Sequence, residues 1–260
     1  MNNIFSYSTF SVARVLMALC VFFCHVFERF NYFGFLFVGV FFFMSGYGME
    51  YMNKRQFALV RSIPYILYFV WFSLVYFFLF RVWVYPSGWF LVVYLQVMLI
   101  YRFVGNIYGL LWSFIGLGLF FALLGFNYGW CASFGGFLFG VFFARNQSAF
   151  TLPVVLSLAP LSLIAVFRVE AAFWCLIPLF SWFVLRFSCI PFLKKIAFCG
   201  DYTFYFYCVH CLFLGLFGVT WTLGGSPSFC PCFFAFVLSI FCSVFFKNYL
   251  FNYPKIQKAG

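Results

Sequence analysis

The stretch FSVARVLMALCVFFCHVFERF, residues 10–30, decides what kind of protein this is. From Phe10 to Phe27 it has the length and apolarity of a membrane-spanning helix, yet it contains Arg14 and His25. These two residues are eleven positions apart, which is about three helical turns and roughly 16 Å along a helix axis, so they share one face. An ionisable side chain at membrane depth is costly, and we therefore interpret both as members of a functional site. The alternative for each is structural: a charge at the helix mouth, or a histidine bonded to a backbone carbonyl.

The composition is that of an integral membrane protein. Of 260 residues, 67% are hydrophobic and 7% are charged, whereas a soluble domain has about 25% charged residues. The net charge of +11 comes from basic residues scattered singly at segment ends, where they determine topology and do not indicate nucleic acid. All loops are short, so we expect one integral-membrane domain over 1–260. The first segment is too long for a cleaved signal peptide, and we expect it to remain.

Ten apolar segments are long enough, or nearly so, to cross about 30 Å of hydrocarbon. They run over 9–27, 33–52, 62–84, 88–102, 107–125, 128–144, 151–167, 170–189, 200–222 and 229–251. A short fourth segment and tight turns after the fifth and seventh leave nine or eleven spans open. Lipid requires that backbone polar groups pair internally, and no strand alternation is present. We therefore predict an all-α polytopic bundle of about ten transmembrane helices.

Loop charges support this partition and orient it. If the N-terminus lies inside, the outer loops carry three basic residues, Arg29, Arg81 and Arg168. The inner loops and tail then carry eleven: Lys54, Arg55, Arg61, Arg102, Arg145, Arg186, Lys194, Lys195, Lys247, Lys255 and Lys258. This bias follows the positive-inside rule and predicts that both termini are cytoplasmic.

Acidic residues are too few for several kinds of enzyme. The four are Glu28, Glu50, Glu170 and Asp201. A two-carboxylate glycosidase or a metal-dependent phosphotransferase lacks its acidic groups here. No glycine-rich phosphate loop and no Gly-x-Ser-x-Gly elbow is present. Cys230 and Cys232 alone offer too few ligands for a metal, so the sequence predicts none.

Histidine chemistry is what remains. His25 is one of only two histidines, and Glu28 follows it on the same helix face, where its carboxylate can orient the imidazole. The alternative for Glu28 is a solvated loop residue. A neutral histidine can abstract a proton from a hydroxyl or carry an acyl group on nitrogen. Either role fits acyl transfer without a metal.

Other residues have structural interpretations on the sequence alone. Ser45 is typical of a small helix-packing residue and Trp89 of an interfacial anchor. Arg61 is an ordinary positive-inside residue. Tyr207 and His210, one helical turn apart, can share a hydrogen bond and are either structural or in contact with substrate.

Five short motifs occur in an order that resembles the membrane acyltransferase-3 family of O-acyltransferases. The first motif is an arginine and a histidine separated by ten residues, Arg14 and His25. The second is VGVFFFMSGYGM at 38–49, in which the matching positions are Val38, Phe41, Phe42, Ser45, Gly46 and Tyr47. The third motif is VRSIPYILYFVWF, with Arg61 and Pro64. The fourth is GWFLVVYLQVMLIYRF, with Trp89, Phe90 and Leu91. The fifth is CGDYTFYFYCVHCLFLG, with Gly200, Thr203, Phe204, Tyr207 and His210. The motifs lie within 10–104 and 199–215, while the middle of the chain adds only helices.

The resemblance implies an activity and a donor. It implies transfer of an acyl group, with acetyl expected, from a cytoplasmic acyl-CoA to a hydroxyl of a cell-envelope carbohydrate in the bacterial inner membrane. Acyl-CoA is then a substrate, and no bound cofactor is expected. His25 and Arg14 become the catalytic candidates, and Arg61 and Ser45 the donor-binding ones. Trp89, Tyr207, His210 and Glu28 become substrate-contacting or structural candidates.

The short loops bear on the expected acceptor and on the alternative functions of the protein. No loop forms a glycan-binding domain, so a lipid-linked unit of a capsule, exopolysaccharide or lipopolysaccharide, held near the bilayer by its own lipid, is the expected acceptor. The alternative is a transporter or flippase of a lipid-linked sugar, which needs a cavity lined by polar or charged groups. A membrane glycosyltransferase or polymerase would need larger outer loops than this chain has.

Overall fold

A computed structural model describes residues 4–27, 31–53, 58–81, 88–104, 106–123, 129–160, 175–217 and 229–250. These residues form ten α-helices and no β-strand, which confirms the predicted all-α fold for this part of the chain. The helices are α1 Tyr7–Val26, α2 Asn31–Tyr51, α3 Ala58–Phe80, α4 Gly88–Phe103, α5 Ile107–Leu123, α6 Gly129–Arg145, α7 Leu152–Leu158, α8 Ile177–Ser188, α9 Thr203–Leu216 and α10 Phe229–Phe245. Two 3₁₀ helices, Gln147–Ala149 and Leu193–Asp201, and a π-helix, Phe246–Leu250, complete the described elements.

Among the described residues, three helices have both the length and the apolarity to cross a membrane. They span Tyr7–Val26, Phe33–Tyr51 and Phe229–Asn248, and a fourth span results if α8 and the 3₁₀ helix Leu193–Asp201, bent by 115°, count as one. Shorter apolar stretches of 10–17 residues lie within five further helices: Ile66–Phe80, Phe90–Phe103, Ile107–Leu117, Ala132–Arg145 and Thr203–Leu216. The helices are therefore those of a membrane protein, while ten complete spans remain a prediction.

The outer surface of the bundle is apolar. Large side chains are exposed on several helices, among them Tyr108 and Trp112 on α5 and Phe229 and Phe241 on α10. Such a surface is unfavourable in water, where each exposed square ångström of apolar area costs about 25 cal/mol, and it is matched by lipid tails. The exposed aromatic residues therefore fit a bundle embedded in a bilayer.

Two polar contacts of Glu50 join the C-terminal ends of α2, α4 and α6. Glu50 at the end of α2 accepts a hydrogen bond from the Tyr101 hydroxyl near the end of α4, at 2.6 Å. The same carboxylate pairs with Arg145 at the end of α6, with Nε 2.7 Å from Oε1. The C-terminal ends of α2, α4 and α6 therefore lie close together.

The start of α1 lies at this same end. The Phe5 ring, just before α1, stacks on Tyr47 of α2 at 4.3 Å between centroids. The Tyr7 hydroxyl donates to Asp201 Oδ1 at 2.6 Å, and Lys247 Nζ lies 3.4 Å from the other carboxylate oxygen. Asp201 directly precedes α9, and Lys247 follows α10. We call this the basal end of the bundle.

The 3₁₀ helix Leu193–Asp201 lies along the basal end. Cys189, just before it, has its Sγ 3.7 Å from Thr9 Oγ1 in the first turn of α1. Gly200, near its end, packs so closely on Ser11 that an added Cβ would lie 2.7 Å from the Ser11 backbone. Both ends of this segment therefore contact the first turns of α1, which fixes where α9 begins.

The tightest helix pair is α2 with α6, and glycines make the contact. An added Cβ at Gly136 would overlap the Gly39 carbonyl oxygen, and one at Gly46 would overlap the Phe137 carbonyl oxygen. An added Cβ at Gly140 would overlap Phe43 O and approach Tyr47 N. In lipid, where helices gain little from hydrophobic burial, small residues that let backbones touch are a main source of helix association.

We expect Gly140→Ala to destabilise the protein and Gly116→Ala not to. Alanine is favoured over glycine in a helix by about 1 kcal/mol, and an added Cβ at Gly116 on α5 has no atom within 4 Å. At Gly140 that preference is opposed by overlap with the α2 backbone, and overpacking costs about 1–3 kcal/mol. Thermal unfolding of the purified protein in detergent measures both variants. An unchanged midpoint for Gly140→Ala would contradict the contact.

Candidate functional site

Two histidines meet between α1 and α9. The His25 ring stacks on the His210 ring with centroids 5.1 Å apart and planes 22° apart. Phe22, one turn before His25, contacts both Phe206 and His210 and fills the space between the helices. His210 is 1% exposed, whereas His25 is only partly buried. The pair is therefore held on one side and accessible on the other.

The contacts of His210 define its tautomer. Its Nδ1 lies 3.2 Å from the Phe206 carbonyl oxygen, and its Nε2 lies 3.4 Å from Cys211 Sγ. A carbonyl oxygen only accepts hydrogen bonds, so Nδ1 carries the proton and Nε2 carries the lone pair. The hydrogen bond that the sequence allowed between Tyr207 and His210 is not among the contacts of these two described side chains. The two rings instead contact each other with centroids 5.4 Å apart.

A cavity of about 320 Å³ lies between the histidine pair and the basal end. Helices α1, α2, α4 and α9 and the segment after α10 all contribute to its wall. The lining residues are Arg14, Phe41, Ser45, Phe90, Tyr94, Gly200, Asp201, Thr203, Phe204, Tyr205, Tyr207 and Lys247. Its volume is at the lower end of the range of about 300–1,000 Å³ typical of small-molecule sites.

Arg14 is held against its own helix at the cavity wall. Its Nη2 donates to Ser11 Oγ at 3.0 Å and its Nε to the Phe10 carbonyl oxygen at 3.4 Å. The guanidinium carbon lies 5.8 Å from the centre of the Tyr7 ring. A guanidinium has five N–H donors, so these contacts orient the group and leave donors for a ligand.

The charged groups of the cavity sum to a positive wall. Arg14 and Lys247 are cationic, and Asp201 is the anionic residue among the lining residues. Lys247 Nζ also lies 4.0 Å from the centre of the Tyr202 ring, a cation–π contact that holds the ammonium in place. A concave site with an excess of positive charge raises the local concentration of anions.

Tyr207 is the side chain that joins the cavity to the histidines. It lines the cavity, and its ring packs on Phe90 at 4.6 Å and on His210 at 5.4 Å. It is 4% exposed. The Tyr207 ring therefore contacts both the cavity and His210.

The structure brings together five of the residues named from the sequence. Arg14, Ser45 and Tyr207 line the cavity, and His25 and His210 stack directly beyond it. Glu28 lies outside the described residues. Arg61 lies in α3 and Trp89 in α4, but their side chains are outside the part that the structure describes.

Three residues of this region were not singled out by the sequence. The sequence marked Asp201 only as one of four acidic residues and Lys247 only as a loop charge, and it gave Cys211 no role. Donor atoms of His25, His210 and Cys211 all lie within 4.8 Å of one another, as the ligands of a metal ion would. The neighbouring His-Cys pair at 210–211 was the available signal, but its partner lies 185 positions earlier.

The chain matches no known protein family, and no curated protein or solved structure is similar to it. The chemistry of this site therefore has to be argued from its own residues.

We expect Ser45→Cys to react faster with an anionic methanethiosulfonate than with a cationic one. One net positive charge about 4 Å away in water favours an anion by about 1 kcal/mol and disfavours a cation by the same amount, which gives about a thirtyfold ratio of rates. Peptide mass spectrometry reads position 45 separately from the native cysteines. A small free thiol gives the intrinsic ratio of the two reagents.

Ser133→Cys on α6 is the matched control, because Ser133 is fully buried and should react with neither reagent. High salt should reduce the ratio at position 45, since mobile ions screen exposed charges. Equal rates at low salt would contradict a positively charged cavity.

Proposed function

We propose that this protein is a membrane O-acyltransferase that moves an acyl group, with acetyl expected, from a cytoplasmic acyl-CoA to a hydroxyl of a cell-envelope carbohydrate. The observation that carries the proposal is the His25–His210 pair, separated by one tyrosine ring from a positively charged cavity. A base beside an anion-binding cavity is what transfer from an anionic thioester donor requires.

The cavity suits part of an acyl-CoA. Its two cations, Arg14 and Lys247, suit phosphate oxygens, which form strong charge-assisted hydrogen bonds with such groups. The volume is too small for the whole donor, so the thioester arm would enter while the nucleotide stays at the mouth. The basal end carries the N-terminus of α1, which the loop charges predict to be cytoplasmic, where acyl-CoA is found.

A neutral imidazole can perform the transfer in either of two ways. In direct transfer, His25 takes the proton of the acceptor hydroxyl as the oxygen attacks the thioester carbon, and the departing CoA thiolate is then protonated. In a relay, an imidazole nitrogen attacks the thioester carbon first, the carbon–sulfur bond breaks and CoA leaves as the thiolate. The hydroxyl then displaces the acyl group from the nitrogen, and its proton balances the charge of the thiolate. His210, with Nδ1 held by a carbonyl, is the residue that positions the His25 ring.

The motif resemblance supports the same assignment. Because no family profile matches the chain, this support consists of the five motifs alone. Under the proposal Arg14 binds the donor or seats the catalytic groups, and Arg61 and Ser45 contact the donor. Trp89, Tyr207 and Glu28 contact substrate or hold the site together.

The proposed acceptor is a lipid-linked glycan in the bacterial plasma membrane. Within the described residues, the elements that join helices are short 3₁₀ and π segments, and none provides a separate glycan-binding surface. A glycan carried on a lipid would approach between helices, held at the bilayer by its own tail. The partly buried edge of His25 is the point such a hydroxyl would reach.

A transporter or flippase of a lipid-linked sugar is the second candidate. It is favoured by one observation: three charged side chains, Arg14, Asp201 and Lys247, line one cavity. An anionic pyrophosphate-linked sugar would also suit this cavity. Such a protein would move its cargo without breaking a thioester, and the two candidates therefore differ in a single measurable reaction.

We expect His25→Ala and Arg14→Ala each to reduce acyl transfer at least about 100-fold, since a general base contributes about 10²–10⁴. The measurement is transfer of labelled acetyl from acetyl-CoA to lipid-linked glycan by the purified protein in detergent. Phe23→Ala, an exposed residue of the same helix, and Arg102→Ala, an arginine outside the cavity, are the controls.

Retained transfer in His25→Ala at normal protein abundance would refute the mechanism. A wild-type protein that transfers no label, but moves lipid-linked sugar across vesicles, would replace it by the transporter.

Deletion of the gene should remove O-acetyl signals from the isolated surface polysaccharide in NMR spectra. Re-expression of the wild-type protein should restore them, and His25→Ala should not. Survival of every O-acetyl signal, together with loss of an acyl group from a soluble metabolite, would contradict a lipid-linked acceptor.

A further inference from the structure

We propose that His25, His210 and Cys211 form a binding site for one thiophilic metal ion, Cu⁺ or Zn²⁺. The donor atoms of these three side chains lie within 4.8 Å of one another. Metal–nitrogen bonds of about 2.0–2.1 Å and metal–sulfur bonds of about 2.3 Å place the ligand atoms of a bound ion somewhat closer together. Side-chain shifts of about 1 Å therefore complete the site.

One edge of the site already has the required spacing. Cys211 Sγ lies 3.4 Å from His210 Nε2, which is close to the separation that those bond lengths give around one ion. The two residues are neighbours on α9, and their side chains nevertheless converge. His25 comes from α1 and closes the third corner by stacking on His210.

The orientation of His210 is an independent reason to expect a metal. Metal-bound histidines almost always donate the other ring N–H to a carbonyl or carboxylate, which directs the lone pair at the ion. His210 has this arrangement: Nδ1–H donates to the Phe206 carbonyl oxygen, and Nε2 points toward the thiol. The second contact shell of a metal ligand is thus built from the backbone of α9.

The surroundings select the type of ion. Thiolate and imidazole ligands favour Zn²⁺ and Cu⁺ over Mg²⁺, Ca²⁺ and Mn²⁺, which prefer oxygen. On binding, the Cys211 thiol loses its proton to water and sulfur forms the metal bond. One thiolate and two neutral imidazoles neutralise Cu⁺, whereas Zn²⁺ keeps one positive charge until an anion takes a fourth position. His210 and Cys211 are buried, so the neutral Cu⁺ complex is the less costly one.

Metal binding goes beyond the proposed acyl transfer and affects it in one way. An ion that takes the lone pair of His25 prevents that nitrogen from acting as a base. The loaded protein would then be inactive in acyl transfer until the ion leaves. The measurement of bound metal does not depend on any acyl-transfer activity.

The test is metal binding by the purified full-length protein in detergent. Chelator-stripped protein is titrated separately with Cu⁺ under reducing, oxygen-free conditions and with Zn²⁺, each in competition with a chromophoric chelator. Binding of about one ion per chain is expected for either metal or both. Co²⁺ as a probe should add a thiolate-to-cobalt charge-transfer band that reports on Cys211 directly.

Cys211→Ser should weaken metal binding by more than about 100-fold. Loss of a residue that only supports a ligand reduces metal affinity by about 10–100-fold, and Cys211 is proposed as a direct ligand. His210→Ala should do the same. Cys208→Ser, one turn earlier on α9 and outside the three-residue cluster, is the matched control and should bind like the wild type. Gel filtration confirms that each variant is folded.

Absence of stoichiometric metal from the wild type, or equal binding by Cys211→Ser and wild type, would overturn the site. Either result leaves the acyltransferase proposal standing, since that depends on labelled transfer and on His25. Conversely, a protein that binds metal at Cys211 but transfers no acyl group after a chelator has removed the ion would refute only the acyltransferase.

Discussion

Direct backbone contact between α2 and α6, made through glycines, sets the spacing on which the candidate site depends. Gly46 and Gly136 leave no side chain between the two helices at the points where their backbones meet. In lipid such close packing replaces the hydrophobic effect as the force that joins helices. With one face of α2 fixed against α6, Phe41 and Ser45 are turned toward the cavity and α1. A shift of α2 would therefore move Phe41 and Ser45 in the cavity wall.

The few carboxylates of the described residues are used at the basal end. Glu50 pairs with Arg145, and Asp201 pairs with Lys247 and accepts a hydrogen bond from Tyr7. Each contact joins helices that are distant in sequence but end or begin at the same level. An isolated charge near the lipid boundary is costly, whereas a paired one is tolerated. Pairing therefore holds the ends of the helices in register while leaving Arg14 at the cavity.

The site has two compartments with different chemistry. The cavity contains charged side chains with an excess of positive charge, whereas the histidines lie among Phe22, Phe206 and other aromatic rings. Tyr207 forms the boundary. A low-polarity environment strengthens electrostatic interactions and keeps an imidazole from being solvated by bulk water. The proposed acyl transfer involves both compartments, because the donor occupies the cavity and the base is a histidine. The proposed metal site involves only the compartment that contains the histidines.

The sequence by itself determined the class of the protein and part of the site. Apolar composition and the absence of strand alternation were enough for an all-α membrane protein, because lipid permits few other structures. The positions of Arg14 and His25 predicted a functional site on α1, because an ionisable side chain inside an apolar helix is costly. These inferences depend on properties of single segments, which a sequence displays directly.

Only the tertiary structure decided which distant residues meet. The sequence offered Glu28, which lies outside the described residues, as a partner that orients His25, and it did not indicate that His25 stacks on His210 of α9. The convergence of Cys211 with both histidines, and of Lys247 with Asp201, depends on how α9 and α10 pack on α1. Helix packing is set by side-chain shape along whole faces, so no short spacing in the sequence encodes it.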